Sequence, residues 1–263
     1  MKAINIDELK TIQLEILQQV HEHCVRNKIQ YSLAYGTLLG AIRHEGYIPW
    51  DDDIDIMLTR PNYDKFMRTF KHSYLVAKCL ECDKSFPLNY GKVYDTRTVL
   101  QEQLTMSWEN AIFVDVFCID GIGTEYNQAK KFCKRIKNIH HYAIIKQLVV
   151  SKSRGLLKNL QLVALKSFLI IIPYKQIIKY LVKLNKKYGF DNSKYVSDLS
   201  WGDPNMVFEK SLFSNYKSIV FENRSFLIIR EYEVFLTAAY GDYMKLPPED
   251  KRCTHHSFKA WWK

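Results

Sequence analysis

The chain has 263 residues, of which 38 are Lys or Arg and 28 are Asp or Glu, for a net charge of +10. Apolar residues make up 47% and aromatics 14%, enough to bury a sizeable core and too much for a disordered polymer. The six cysteines are scattered and the first eight residues hold no apolar signal core, so a secreted disulfide scaffold is not expected; reduced thiols in the cytoplasm are.

Taken in chain order, Asp7 is expected to cap a first helix reaching about Asn27, with Leu9, Ile12, Ile16, Val20 and Cys24 on one stripe. Residues 31–35 read as a strand, followed by a Gly36-Thr37 turn and a short helix through Ile42. A loop over 43–50 then delivers the chain to a strand at 53–58. Pro61, tolerated in a first helical turn, opens a helix to about Phe70. Further strands are expected at 74–78, 89–94 and 111–119. Cys79 and Cys82 form a lone C-x-x-C, which without a second pair is a weak signal for zinc or redox chemistry.

The positive charge is unevenly spread. Between residues 126 and 190 there are 15 Lys and Arg and no Asp or Glu, which leaves 23 basic and 28 acidic residues elsewhere. This insert predicts three helices, broken near 151–155 and at Pro173. In the last of them Ile177, Ile178, Leu181 and Val182 alternate with Lys175, Lys179 and Lys183, a basic amphipathic pattern. Such helices can rest on an anionic membrane surface or, less in keeping with this pattern, along a nucleic acid backbone. They can also serve simply as a helical cap with a solvated outer face. Lys158 and Lys166 interrupt the 156–174 stretch, which therefore lacks the ~18–20 continuous apolar residues of a membrane span. Beyond the insert, short strands are expected at 195–201 and 218–221 and a helix at 232–240. The predicted organisation is a catalytic core over 1–125, the basic insert over 126–190, and a segment over 191–263 that completes the domain.

The chemistry is concentrated in Asp51-Asp52-Asp53-Ile54-Asp55-Ile56. Residues two apart on a strand leave the same face, so Asp53 and Asp55 can close on one divalent cation. The Gly36-Thr37 turn, opening a helix, is a phosphate-sized anion site. A metal-carboxylate strand beside such a turn suits phosphoryl transfer. Asp115 lies in a second apolar strand, where an ionised carboxylate is costly unless paired or metal-bound; it is the candidate third carboxylate, with Asp120 as understudy. Asp115 is also the candidate for deprotonating an attacking hydroxyl. Arg43, Lys92 and Arg97 are candidate phosphate contacts, and His44 a candidate acid/base or substrate donor. Arg252 and His256 fall in a polar tail that resembles a lid or substrate contact.

The run Gly36-Thr37-Leu38-Leu39-Gly40-Ala41-Ile42-Arg43-His44-x-Gly46-x-Ile48-Pro49-Trp50-Asp51-Asp52-Asp53-Ile54-Asp55-Ile56 resembles the signature of the LicD family. The likeness continues at Arg60-x-x-Tyr63-x-x-Phe66, at Val114-Asp115-Val116-Phe117-x-x-Asp120-Gly121, at Phe221-Glu222, and at Tyr240-Gly241-Asp242-Tyr243-Met244-x-Leu246-Pro247-Pro248-Glu249-x-x-Arg252. That family comprises phosphocholine and related phosphotransferases, with the fukutin-related ribitol-phosphate transferases as relatives. The resemblance implies an α+β fold with a nucleotidyltransferase-like mixed sheet flanked by helices. It implies Mg²⁺, or Mn²⁺ in its place, held by Asp53, Asp55 and Asp115, with Gly36 and Thr37 facing the donor phosphates. It further implies a CDP-linked donor such as CDP-choline, release of CMP, and a glycan or lipid-linked glycan acceptor of a lipopolysaccharide, capsule or teichoic acid precursor. The basic insert would then offer a peripheral seat at the inner face of the membrane. Two rivals remain: a nucleotidyltransferase acting on a sugar phosphate or other small hydroxyl acceptor, and a non-catalytic membrane- or nucleic-acid-binding module.

Overall fold

A computed structural model describes residues 2–102, 111–148, 150, 155–252 and 258–263. Its elements run β1 (Ala3–Ile4), α1 (Ile6–Arg26), β2 (Ser32–Leu33), α2 (Tyr35–His44), β3 (Asp55–Thr59), α3 (Arg60–Thr69), β4 (Leu75–Lys78), β5 (Gly91–Asp95), β6 (Thr98–Glu102) and β7 (Phe113–Gly121). Next come α4 (Tyr126–Gln147), α5 (Leu156–Phe168) and α6 (Tyr174–Asn185). The chain closes with β8 (Tyr195–Asp198), β9 (Phe208–Glu209), β10 (Tyr216–Phe221), β11 (Arg224–Ile229), α7 (Tyr232–Tyr240) and β12 (Phe258–Trp262).

The fold is α+β, with helices around a mixed sheet in the order β2-β3-β7-β5-β4. β3 is parallel to β7, while β2, β4 and β5 pair antiparallel with their neighbours, and β8 and β9 continue from the far end of β7. β7 is central and long. It is buried almost throughout, which is why it reads as a nearly continuous apolar run, Val114, Val116, Phe117, Cys118 and Ile119. The long first helix lays Leu9, Ile12, Ile16, Leu17, Val20 and Cys24 into the same core. Its cap is Asn5 rather than the expected Asp7: the Asn5 side chain accepts the Glu8 N–H at 2.8 Å, and Asp7 sits in the first turn. A second, three-stranded sheet, β1-β12-β6, joins the two ends of the chain and has no counterpart among the predicted strands.

Two corrections concern the region before β3. The expected strand at 31–35 is shorter, and Gly36 and Thr37 lie inside the first turn of α2 rather than in a separate turn. The expected strand at 53–58 starts at Asp55, with Asp53 in the approach to it. The loop that supplies this approach is firmly fastened. Asp51 N–H donates to the Ile48 carbonyl at 2.8 Å, Gln13 Nε2 to the Asp52 carbonyl at 3.0 Å, and the Tyr47 hydroxyl to the Lys10 carbonyl at 3.1 Å. The β10–β11 hairpin turns through Glu222 and Asn223, both at positive φ as a two-residue hairpin turn requires. This aims the Glu222 carboxylate at the loop, where it accepts the Tyr47 N–H at 3.0 Å.

The insert forms the three expected helices, split at Gly155 and Pro173. α4 and α6 share a small core of their own, Phe132, Cys133, Ile136, Ile177, Ile178 and Leu181, closed by Leu80, Ile122, Leu199 and Val207 from the sheet domain. No helix among the described residues is long and apolar enough to cross a membrane.

At Gly40 a β-carbon would run into the backbone carbonyl of Gly46, so α2 and the 45–54 loop meet only because that position is bare. Gly40→Ala is therefore expected to destabilise the chain by about 1–3 kcal/mol, as overpacking does. The effect would be read as a lower urea midpoint. A rise in the midpoint, the usual result of Gly→Ala inside a helix, would show that the contact yields freely.

Candidate functional site

Three carboxylates of one short chain segment line a cavity of about 750 Å³. Gly36, Leu39 and Arg43 of α2 form one wall, and Trp50, Asp51, Asp53 and Asp55 a second. Tyr240, Tyr243, Lys245 and the Leu246-Pro247-Pro248 run form the third.

The start of α2 is shaped for this. Tyr35, the first helical residue, has φ 42, a left-handed conformation uncommon for a bulky side chain. Its hydroxyl donates to Asp198 Oδ2 at 2.6 Å, and its ring packs against Phe117 and Phe235 at 5.2 and 5.4 Å, so the surroundings hold the strained residue in place. Gly36 comes next. A β-carbon there would collide with the Asp51 carboxylate, so the glycine lets an acidic group lie against the positive end of the helix.

Asp55 is tied through its backbone to the start of α2. Its N–H donates to Thr37 Oγ1 at 2.8 Å and its carbonyl accepts the Ala34 N–H at 2.9 Å. In register it faces Asp115 on β7, and Asp115 in turn faces Lys92 on β5. The row is closed by an ion pair, Lys92 Nζ to Asp115 Oδ1 at 2.8 Å, with only 6% of Lys92 exposed. Burial first, then the charges of Asp53, Asp115 and Asp51, push the Asp55 carboxyl well above the ordinary carboxylate value, while Lys92 pulls the other way. The Tyr240 hydroxyl is pushed up by burial and by the same aspartates, opposed by Arg43.

Acidic oxygens crowded in a half-dry cleft suit a hard divalent cation. Among the described residues no three His, Cys, Asp or Glu side chains form a cluster closed enough to hold an ion unaided. Mg²⁺ commonly takes one or two carboxylates and completes its shell with substrate phosphates and water, and Asp53 and Asp55 fit that mode.

The remaining candidates are placed differently from one another. Arg43 lines the cavity as expected, and its Nη1 donates to the Tyr243 carbonyl at 2.9 Å, tying α2 to the third wall. Thr37, Asp115 and Lys92 are buried, Asp115 to the same 8% exposure as Asp55 beside it. The His44 ring stands edge-on to Trp50 at 6.4 Å, outside the lining; burial and Arg43 both lower its proton affinity. Arg252 donates to the Pro247 carbonyl at 2.9 Å with its guanidinium 5.8 Å from the Trp50 ring, so it braces the wall from behind. Arg97 is removed from the site: it pairs with Asp95 at 2.6 Å over the Tyr74 ring. Asp120 is gripped by Arg60 at 2.7 and 3.0 Å, a structural role. His256 lies outside the described residues. The thiols of Cys79 and Cys82 approach to 3.0 Å, and burial pushes the Cys79 thiol up, away from reactivity.

Four aromatic lining residues, Tyr35, Trp50, Tyr240 and Tyr243, were not among the residues singled out from the sequence as candidates. Their signal was available, since all four lie in or directly beside the quoted motifs, but aromatic residues there read equally well as core.

Comparison with known proteins bears on the same residues. The LicD/FKTN/FKRP nucleotidyltransferase domain matches residues 28–154, which include α2, the aspartate run and β7. The lipopolysaccharide cholinephosphotransferase LicD of Haemophilus influenzae is 31% identical over 271 aligned positions covering 99% of each chain. The chain belongs to the LicD family. Two uncharacterized Rickettsia proteins align over shorter stretches, at 34% identity over 92 residues in Rickettsia typhi and 44% over 57 residues in Rickettsia prowazekii. The full-length LicD alignment also takes in the Tyr240–Pro248 wall, which lies beyond the matched domain.

The Lys92–Asp115 pair underlies the acidic floor of this LicD-family cavity. Lys92→Met leaves Asp115 buried without its counter-charge and is expected to cost about 3 kcal/mol of stability in urea unfolding. Adding Asp115→Asn should restore much of that loss. With Asp115→Asn alone completing the cycle, a double-variant loss equal to the sum of the two single losses would show that the pair carries no coupling.

Proposed function

We propose that this chain transfers phosphocholine from a CDP-activated donor to a sugar hydroxyl of a cell-surface glycan precursor and releases CMP. Two facts support the reading: the Haemophilus relative is a lipopolysaccharide cholinephosphotransferase, and the residues lining the cavity with the aspartates include the aromatic Trp50, Tyr240 and Tyr243. Aromatic faces attract a quaternary ammonium such as choline, whereas ribitol or glycerol offers them no charge. That coincidence of an acidic, phosphate-sized floor with aromatic walls carries the proposal.

Asp53 and Asp55 would hold a divalent cation, which when bound neutralises the diphosphate and stabilises the departing CMP oxygen. The chain's own groups do the rest. The N-terminal turn of α2, opened by Gly36, presents backbone N–H groups and a positive dipole to the donor phosphates. Arg43, Lys245 and Lys251 add cationic charge to the cavity rim. The acceptor oxygen bonds to the choline-bearing phosphorus as the bridging P–O bond breaks. CMP leaves with that electron pair, and the hydroxyl proton passes to a carboxylate of the aspartate group. Beneath them the Lys92–Asp115 pair fixes the charge balance under Asp55.

Turnover of CDP-choline by the purified chain with Mg²⁺ and an acceptor glycan tests this, with CMP as the measured product. Asp53→Asn and Asp55→Asn are each expected to lower kcat by about 10²–10³-fold. Trp50→Leu should raise KM for CDP-choline about tenfold while changing that for CDP-glycerol little. Pyrophosphate release from a nucleoside triphosphate, with no CMP from any CDP-alcohol, would select a nucleotidyltransferase instead.

A further inference from the structure

The outermost helix of the insert carries its apolar side chains on the wrong face for a soluble cap. On α5 only Leu162 is buried, and α5 meets the rest of the chain chiefly through α4. Leu156, Leu157, Leu160, Val163 and Phe168 are exposed, Leu157 by 71% and Phe168 by 85%. At their spacing these residues share one stripe along the helix, opposite Leu162. The turn that follows adds Ile170 and Ile171, 75% and 85% exposed. Single exposed leucines are ordinary; a continuous apolar strip of this kind marks a contact surface.

The strip is held outward by the fold. Lys146 Nζ donates to the carbonyls of Leu169 and Ile172, both at 2.6 Å, which satisfies the open end of α5 and fixes the turn before Pro173. The same insert exposes several cations. Lys158 on α5 and Lys175, Lys179 and Lys183 on α6 are exposed, and residues 126–190 contain no acidic side chain to neutralise them.

We propose that α5 and the 170–172 turn enter the headgroup–acyl boundary of an anionic phospholipid bilayer, with the neighbouring lysines against the lipid phosphates. An exposed apolar stripe on a lysine-rich, acid-free insert is the chemistry of an interfacial helix, and thirteen residues suffice to lie in the interface but not to span it. A second copy of the chain is the poorer occupant. It would bring two inserts of 15 cations each face to face with no acidic group in either. The proposal does not depend on which group the cavity transfers.

Co-sedimentation with vesicles of mixed phosphatidylglycerol and phosphatidylcholine tests it. The parent chain is expected to pellet with these vesicles, much less with phosphatidylcholine alone, and less in high salt. The variant Leu157→Gln/Phe168→Gln/Ile171→Gln removes no buried side chain, so its circular dichroism should match the parent while its partitioning falls about tenfold or more. In a separate Ile171→Trp variant, the added fluorescence should be quenched by brominated acyl chains, a readout that purely electrostatic adsorption would not produce. The proposal is overturned by a triple variant that binds as the parent does, or by a parent that stays in the supernatant with anionic vesicles. It is equally overturned by a parent that sediments as a dimer and becomes a monomer in the triple variant.

Discussion

A carboxylate almost out of water, with further carboxylates beside it, is a state that a protein must build deliberately. Asp55 is such a group, and much of the core can be read as the apparatus that holds it. Thr37 and Ala34 pin its backbone, Asp115 flanks it across the sheet, and Lys92 supplies the balancing charge. The strain in Tyr35 and the absence of a side chain at Gly36 bring Asp51 against the head of α2. Each of these features is costly alone. Together they produce a concave site where negative charge is concentrated beside the head of α2 and cationic side chains.

The sequence revealed what is local. Helix periodicity and the breaks at Gly155 and Pro173 fixed the three insert helices, and α7 falls at the expected 232–240. The aspartate run declared itself through spacing, and the glycine at 36 marked the head of a helix. What stayed hidden depends on register between distant segments. Nothing near residue 92 shows that it lies directly across from Asp115, so Lys92 read as a phosphate contact and Asp115 as a third carboxylate of the site, without the ion pair that the pairing of β5 with β7 makes between them. The same limit hid β11 and the β1-β12-β6 sheet, whose strands are short and owe their existence to partners far along the chain. Tyr240 and Tyr243 were concealed differently: an aromatic residue is core-like in sequence whether its ring faces the interior or a cleft.

The two halves of the molecule make opposite uses of exposure. In the catalytic half, polar groups are drawn inward and their charges played against one another. In the insert, α4 and α6 bury a compact core of their own while α5 leaves its apolar side chains outside. A series of aromatic contacts joins the halves, from Tyr35 through Phe117, Tyr90 and Trp201 to His140 on α4, with successive ring centres 4.9–6.4 Å apart.

Anomalous diffraction from crystals soaked with Mn²⁺ and CDP-choline examines the arrangement most directly. The expected density is a manganese peak at coordinating distance from both Asp53 and Asp55, touching a diphosphate that rests on the first turn of α2 with the choline against the Trp50 and Tyr243 rings. A diphosphate bound away from that helix end, or a manganese peak that bypasses both aspartates, would contradict it.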